Sequence, residues 1–326
     1  DYYHFIFLLK NESEGNRGGS MNIIELKNVS KLYKQVIGLN NISLTIPTGV
    51  TGFLGPNGAG KSTLMKILTG QIKVSKGSAT IREEPIWNNH RVTKRIGYCP
   101  ETDALYFHLT GYEFLFHMVR LHGFSKEDSS KKAIDALVAV EMESACDKKI
   151  GSYSKGMQQR VKLAQAFAHD PELLFLDEPL LGMDPLGRHK TIELIKEWGS
   201  AGKTVIVSSH ILHEVEEMTD NILLMNRGKI IAEGNIYEIR KLIDEHPLHV
   251  TIGCNKTHQL TSRLLEYDDV ISVQFNRERG DVTIQTTQPD TFYQRLPKLV
   301  LENDIEIHSI MSPDENLHAV FEYLVH

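Results

Sequence analysis

Cysteine is scarce and scattered. Cys99, Cys146 and Cys254 are the only three in 326 residues, and no two of them form a C-x-x-C pair. That excludes a disulfide framework or a cysteine-built zinc site and fits a reduced, cytosolic setting. A basic excess is also missing: 36 Lys and Arg stand against 42 Asp and Glu, a formal net charge of −6. Broad non-specific binding of nucleic acid shows the opposite balance, so no nucleic-acid partner is expected. No apolar run approaches the roughly 20 residues of a membrane-spanning helix. The segment "FIFLL", Phe5 to Leu9, is too short to span and is followed by no signal cleavage site. A membrane role therefore has to pass through a partner. Internal repeats and low-complexity tracts are absent too.

What is present is ordinary globular composition, 41% hydrophobic and 24% charged, in a length that suits one large domain and a smaller one. The stretch before Met21 is set apart by the polar, Gly-rich "NESEGNRGGS". Residues 1–20 are expected to be a vector-derived or upstream leader, with Met21 as the natural start. From there "NIIELKNV", "NISLTI" and "GVTGFL" read as strands, and "KSTLMKILTG" as a helix with Leu64, Ile67 and Leu68 on one face and Gly70 closing it. Residues of about 102–168 change character. "TGYEFLFHMVRLHGF" and "SKEDSSKKAIDALVAVEM" predict helices, the second capped by Ser125 with Asp128 three residues on. The aromatic-rich segment from Tyr106 to Phe116 is expected to put one face in the core. "ELLFLDEP", "KTVIVSSH" and "NILLMNRGKIIAEG" then restore a strand–helix alternation, which predicts a mostly parallel sheet. After Glu245-His246-Pro247 the pattern becomes β-α-β-β-α-β, a ferredoxin-like order, and "DENLHAVFEYLV" predicts a last amphipathic helix. The expected division is 21–242 for the large domain and 247–326 for a small α+β domain.

Three segments carry chemistry. "GPNGAGKST" fits the phosphate-loop pattern G-x-x-x-x-G-K-[ST], and it stands between a strand and a helix as such a loop must. Its residues Gly55, Pro56, Asn57, Gly58, Ala59, Gly60, Lys61, Ser62 and Thr63 are the expected nucleotide-binding loop. Backbone N–H groups and the helix dipole meet the phosphate oxygens, Lys61 adds a point charge, and the Ser62 hydroxyl can ligate Mg²⁺. "LLFLDEP" is an apolar strand ending in two carboxylates: Asp177 is placed to hold the metal's shell and Glu178 to polarise a water against the γ-phosphate. "SYSKGMQQR" supplies a second anion-friendly helix start, with Ser154 as N-cap and Met157, Val161, Ala164 and Ala168 at helical spacing.

Together with the "GMDP" loop that contains Asp184, and with His210 in "VSSH", these motifs stand in an order that resembles the ATPase subunit of ATP-binding cassette (ABC) transporters. The resemblance spans residues of about 22–240. It implies an α/β P-loop ABC cassette, in which a mostly parallel sheet is joined by an antiparallel β subdomain and a helical subdomain. It implies that Tyr33 stacks on adenine, that His210 meets the γ-phosphate, and that Lys61, Glu178 and His210 serve catalysis on ATP with Mg²⁺ held by Ser62, Asp177 and Glu101. It also implies a head-to-tail dimer, with a homodimer expected, in which Ser154, Gly156 and Asp184 complete the partner's site. Beyond the dimer it implies separate integral membrane permease subunits, some of the Tyr106–Phe107 region meeting them, and a location on the cytoplasmic face of the cell membrane. The small tail loosely resembles the extension carried by many exporter-class subunits.

Three departures from the family's pattern stand out, one of them that "PLLGMDP" lacks the small polar residues often seen ahead of the "GMDP" loop, a change with no physical reading in the sequence. Glu101 occupies the place where the family has Gln, which adds negative charge beside the phosphates and predicts slower or more Mg²⁺-dependent turnover. The signature reads Y-S-K-G-M, so its serine and second glycine persist while Lys155 adds a cation. Two other readings compete with an export motor. A soluble ATP-driven switch acting on ribosomes or DNA is disfavoured by a single phosphate loop and no inserted heptad run. A regulatory nucleotide binder without turnover is disfavoured by the presence of Lys61, Asp177, Glu178 and His210.

Overall fold

The computed structural model describes residues 22–102, 105–237, 248–276 and 280–312. Residues 1–20 and the expected last helix, "DENLHAVFEYLV", lie outside the described residues. The chain divides into two compact units, residues 1–235 and 236–326.

In the first unit a six-stranded sheet has the order β10-β9-β3-β8-β7-β6. Its members are β3 (Gly49–Leu54), β6 (Ile96–Cys99), β7 (Leu173–Asp177), β8 (Thr204–Ser209), β9 (Asn221–Asn226) and β10 (Lys229–Asn235). All neighbours run parallel except β10 beside β9. Every residue of β7 and β8 is buried, which is why "LLFLD" and "TVIVSS" show no polar alternation: helices cover both faces. A second, antiparallel sheet runs β2-β1-β4-β5 and uses β1 (Asn22–Tyr33), β2 (Val36–Pro47), β4 (Lys76–Ile81) and β5 (Glu84–Pro85). "NIIELKNV" and "NISLTI" sit inside strands longer than their apolar text suggested.

The helices of this unit are α1 (Lys61–Leu68), the short α2 (His90–Thr93), α3 (Gly111–Leu121), α4 (Lys126–Ala139), α5 (Lys155–Phe167), α6 (Pro185–Ser200) and α7 (Leu212–Met218). Local chemistry sets their ends. Gly70, at φ +73°, follows α1 in the left-handed conformation that suits glycine after a helix. Thr110 and Glu113 form a reciprocal capping box on α3. Ser125 accepts from the Asp128 N–H at 3.0 Å, and Ser154 from the Met157 N–H at 3.2 Å. α3, α4 and α5 bury Phe114, Leu115, Leu137, Val161 and Leu163 in the same core as Leu174 and Leu176 of β7. Tyr106 and Phe107 stay half exposed, at 54% and 49%.

Where α3 ends, the rings of His122 and His169 stack at 3.7 Å between centroids, and Nε2 of His169 donates to the Ile96 carbonyl at 3.1 Å. Burial, the facing His122 and nearby Lys132 pull His169 down from 6.5 to about 4; burial and Lys94 also lower His122. Between those two values the unfolded chain holds a proton on residue 169 that the folded chain rejects. Stability therefore falls as pH drops from 6.5 towards 4, by about 2–3 kcal/mol for His169. Melting temperatures recorded between pH 7 and 5 check this, with His169→Gln expected to flatten the curve.

In the second unit, β11 (Leu248–Cys254), α8 (Thr257–Leu264), β12 (Val270–Asn276), β13 (Asp281–Thr286), α9 (Pro289–Glu302) and β14 (Ile307–Met311) follow one another in the β-α-β-β-α-β order read from the sequence. The sheet order is β12-β13-β11-β14, antiparallel throughout. Leu260, Leu264, Phe292 and Leu296 close its core over Val250, Ile252, Val282 and Ile284. Asp269 receives both terminal nitrogens of Arg295, at 2.9 and 2.8 Å, and the guanidinium lies 3.7 Å from the Tyr267 ring centroid. The three cysteines are free thiols, and burial pushes Cys99 up to about 12. Among the described residues no helix is long and apolar enough to cross a membrane.

Candidate active site

The C-terminal ends of four adjacent parallel strands deliver the candidate residues to one place: β3 feeds the Gly-rich loop, β7 ends at Asp177, β8 leads to His210 and β6 to Glu101. Open α/β sheets bind ligands at such ends. Gly60 starts α1 at φ +108°, and a Cβ there would come within 2.9 Å of the Gly38 carbonyl, so a side chain is excluded. The Gly228 N–H holds the Ala59 carbonyl at 2.8 Å. No side chain caps α1, which leaves its first N–H groups to an anion.

Lys61, 6% exposed, bends back over its own loop. Its Nζ donates to the carbonyls of Gly55 at 2.6 Å and Pro56 at 3.4 Å and lies 3.8 Å from Glu178 Oε1. Burial lowers its pKa, while Glu178, Asp177 and Glu101 push the other way. Glu178 occupies the left-handed region at φ +50°, costly for a residue with a Cβ. The strain is held from several sides. Its N–H donates to Ser208, to the carbonyl at 3.2 Å and the hydroxyl at 3.1 Å. Gln159 Nε2 donates to the Glu178 and Pro179 carbonyls at 3.3 and 2.9 Å. The Glu178 carboxyl meets His210 Nδ1 at 3.0 Å, and burial raises its pKa against the pull of His210 and Lys61. A raised carboxylate is shifted in the direction that favours general-base catalysis.

Asp177, 2% exposed, accepts from Ser208 Oγ at 2.5 Å through Oδ1. Ser62 stands beside Lys61 in the first turn of α1, and Glu101 follows β6 at the surface. These donors are all oxygen, and among the described residues no three His, Cys, Asp or Glu side chains gather as a cage. That set fits a hard cation that takes few protein ligands and completes its shell with phosphate and water. Tyr33, 42% exposed, borders the loop: a Cβ on Gly38 would meet its Cε2 at 2.8 Å and the Thr63 methyl at 3.4 Å.

Ser154, Gly156 and Asp184 gather where the start of α5 meets the Gly182–Asp184 loop. A Cβ on Gly156 would lie 3.3 Å from the Gly182 carbonyl, and Asp184 accepts from Arg160 Nη2 at 3.3 Å. Among the described residues no hydrogen bond or ion pair joins these three to the phosphate loop. The structure thus gathers the expected site residues in two groups.

A family model described as "ABC transporter" matches residues 39–181. An ABC transporter ATP-binding protein of Synechocystis sp. is 40% identical over 271 residues, 80% of this chain and 76% of the relative. The chain belongs to the ABC transporter ATP-binding proteins. Nod factor export ATP-binding protein I of Rhizobium sp. is 35% identical over 233 residues, 71% of this chain and 74% of that one. A dimeric structure of MJ0796, a bacterial ABC transporter cassette, superposes with a TM-score of 0.62 at 28% identity, covering 66% of this chain and 99% of the cassette. The fold is therefore a P-loop ABC cassette and the protein a nucleotide-binding ATPase. The Synechocystis match is longer than the first unit, so the likeness runs on into the second.

Membership of this family makes two further residues notable, Ser208 and Gln159, which position Asp177 and Glu178. Neither stands out in the sequence. Ser208 lies in a strand buried at every position, and Gln159 reads as one more polar residue of a helix.

Proposed function

We propose that this ABC ATP-binding protein works as the motor of an exporter, as two head-to-tail copies that close on ATP and drive separate integral membrane permease subunits. The first unit is the nucleotide-binding domain, and it sits on the cytoplasmic face of the membrane through the permease. What carries the reading is that the site residues fall into two groups with no hydrogen bond or ion pair between them among the described residues: Lys61, Asp177, Glu178 and His210 in one, Ser154, Gly156 and Asp184 in the other. A site split in this way is complete only when two chains meet. Likeness to a dimeric cassette and to a Nod factor export protein supports both the pairing and the direction of transport.

In this reading the phosphate loop and Lys61 grip the β- and γ-phosphates, Tyr33 covers the adenine, and Ser62, Asp177 and Glu101 hold Mg²⁺. When bound there, the metal would supply positive charge to offset that of the phosphates. Glu178 orients and deprotonates the attacking water. His210, now on Glu178, turns to the γ-phosphate, and the helix start at Ser154 of the partner subunit covers it from the far side. Half-exposed Tyr106 and Phe107 meet the permease.

The test is the oligomeric state of the Glu178→Gln chain by size exclusion with light scattering. A monomer without nucleotide and a dimer with MgATP are expected. A monomer under both conditions would overturn the reading.

A further inference from the structure

Helix α5 grips more than its own N-cap. Lys162, about two turns beyond Ser154, is 3% exposed. Its Nζ donates to the carbonyls of Pro100 at 3.2 Å and Glu101 at 3.0 Å. Its helix neighbours Val161, Leu163 and Ala164 are fully buried and apolar. An ammonium in such surroundings is tolerated only where it satisfies acceptors, and here it satisfies two consecutive carbonyls at the end of β6. One turn earlier Gln159 holds the Glu178 and Pro179 carbonyls. One helix thus fixes the main chain of both acidic segments, Glu101 and Glu178, that flank Lys61. Glu101 lies near enough to Lys61 to help hold its charge.

We propose that Lys162 is a positioning residue that sets Glu101 in the nucleotide site, so that α5 couples the nucleotide at its N-terminus to the Glu101 loop of its own chain. The inference rests on the dimer reading above, in which Ser154 and Gly156 face the partner's nucleotide and Glu101 faces the chain's own. A rigid helix between the two lets closure over one nucleotide adjust the other site. The choice of lysine follows from the two carbonyls and the reach to them: an apolar side chain would leave both unpaired, and a glutamine amide, which also has two donors, ends one bond short of the lysine nitrogen.

The experiment uses the full chain as wild type, Lys162→Met, Lys162→Arg, Glu101→Gln and the Met/Gln double variant. Without nucleotide, hydrogen exchange of a peptide covering residues 97–102 is expected to speed up about tenfold in Lys162→Met, with the first turn of α5 unchanged. In MgATP, kcat falls about ten- to hundredfold and the half-saturating Mg²⁺ concentration rises, while KM for ATP holds. Lys162→Arg, which keeps two donors, restores both. The double variant loses no more than the worse single one. Should Lys162→Met not fold, Lys162→Gln gives the same readouts at intermediate size. Unchanged exchange at 97–102, an unchanged Mg²⁺ midpoint, or losses that multiply in the double variant would each overturn the proposal. Failure of the dimer reading looks different: wild-type exchange at 97–102 still depends on Lys162, yet Glu178→Gln stays monomeric with ATP, and the coupling half of the proposal falls with it.

Discussion

Replacing Glu178 by Gln is expected to slow ATP hydrolysis about 10²–10⁴-fold, the span over which a positioned general base contributes, while nucleotide binding survives. The amide keeps the shape of the carboxyl and removes its basicity. The environment makes this carboxyl distinctive. It is held at φ +50° by the Ser208 and Gln159 bonds and faces His210 at 3.0 Å and Lys61 at 3.8 Å. Burial lifts its pKa above the ordinary carboxylate value, so the acid limb of kcat/KM should sit above the usual carboxylate range. The sign is definite: activity rises with pH as Glu178 loses its proton, and this limb disappears in the Glu178→Gln variant. Binding should be kept or tightened, because the neutral amide sets no negative charge against the γ-phosphate. Steady-state hydrolysis across pH, beside equilibrium binding of ATP, reads both. A Glu178→Gln variant within tenfold of wild type would remove Glu178 from the chemistry.

The parts of this site that were legible in the sequence are those contiguous in the chain. The phosphate loop, "LLFLDEP" and the capped start of α5 each carry their own geometry, because a Gly-rich turn, a strand end and an N-cap are decided by nearest neighbours. The alternating burial of β13 was likewise visible in "DVTIQT". What was not legible arrives from elsewhere in the fold. Ser208 meets Asp177 across two parallel strands, and Gln159 and Lys162 reach from α5 to loops far along the chain. Strand β8 is buried at every position, so alternation could not say which of its serines points into the site. "KGSATI", with a single fully buried side chain at Ile81, gave little apolar signal, yet it forms β4 because β1 offers a partner edge. The leucines ahead of the "GMDP" loop, opaque in the sequence, divide in the structure: Leu180 enters the core at 2% exposure and Leu181 stays on the surface at 50%.

A carboxylate at position 156 should silence the homodimer and yet be rescued by a second broken chain. Gly156 is the second residue of α5, with 3.3 Å between a Cβ there and the Gly182 carbonyl, a gap that a few tenths of an ångström of movement accommodates. Asp is moreover welcome in a helix's first turn, so Gly156→Asp is expected to fold with a near wild-type melting temperature. Its charge, however, would stand where the partner's γ-phosphate is covered. Two unit negative charges about 4 Å apart at an effective dielectric of 20 repel by about 4 kcal/mol, which is close to a thousandfold loss. Lys61→Ala is expected to be equally inactive, since it removes the cation from the phosphate loop. Mixed, the two chains behave differently from either alone. In a two-fold symmetric dimer the Gly156→Asp chain brings a sound phosphate loop to the Lys61→Ala chain's sound signature. One good site and one doubly broken site result. Random pairing then restores up to about a quarter of wild-type activity. A site built within one chain would give no restoration at any mixing ratio, because both defects would stay where they were made.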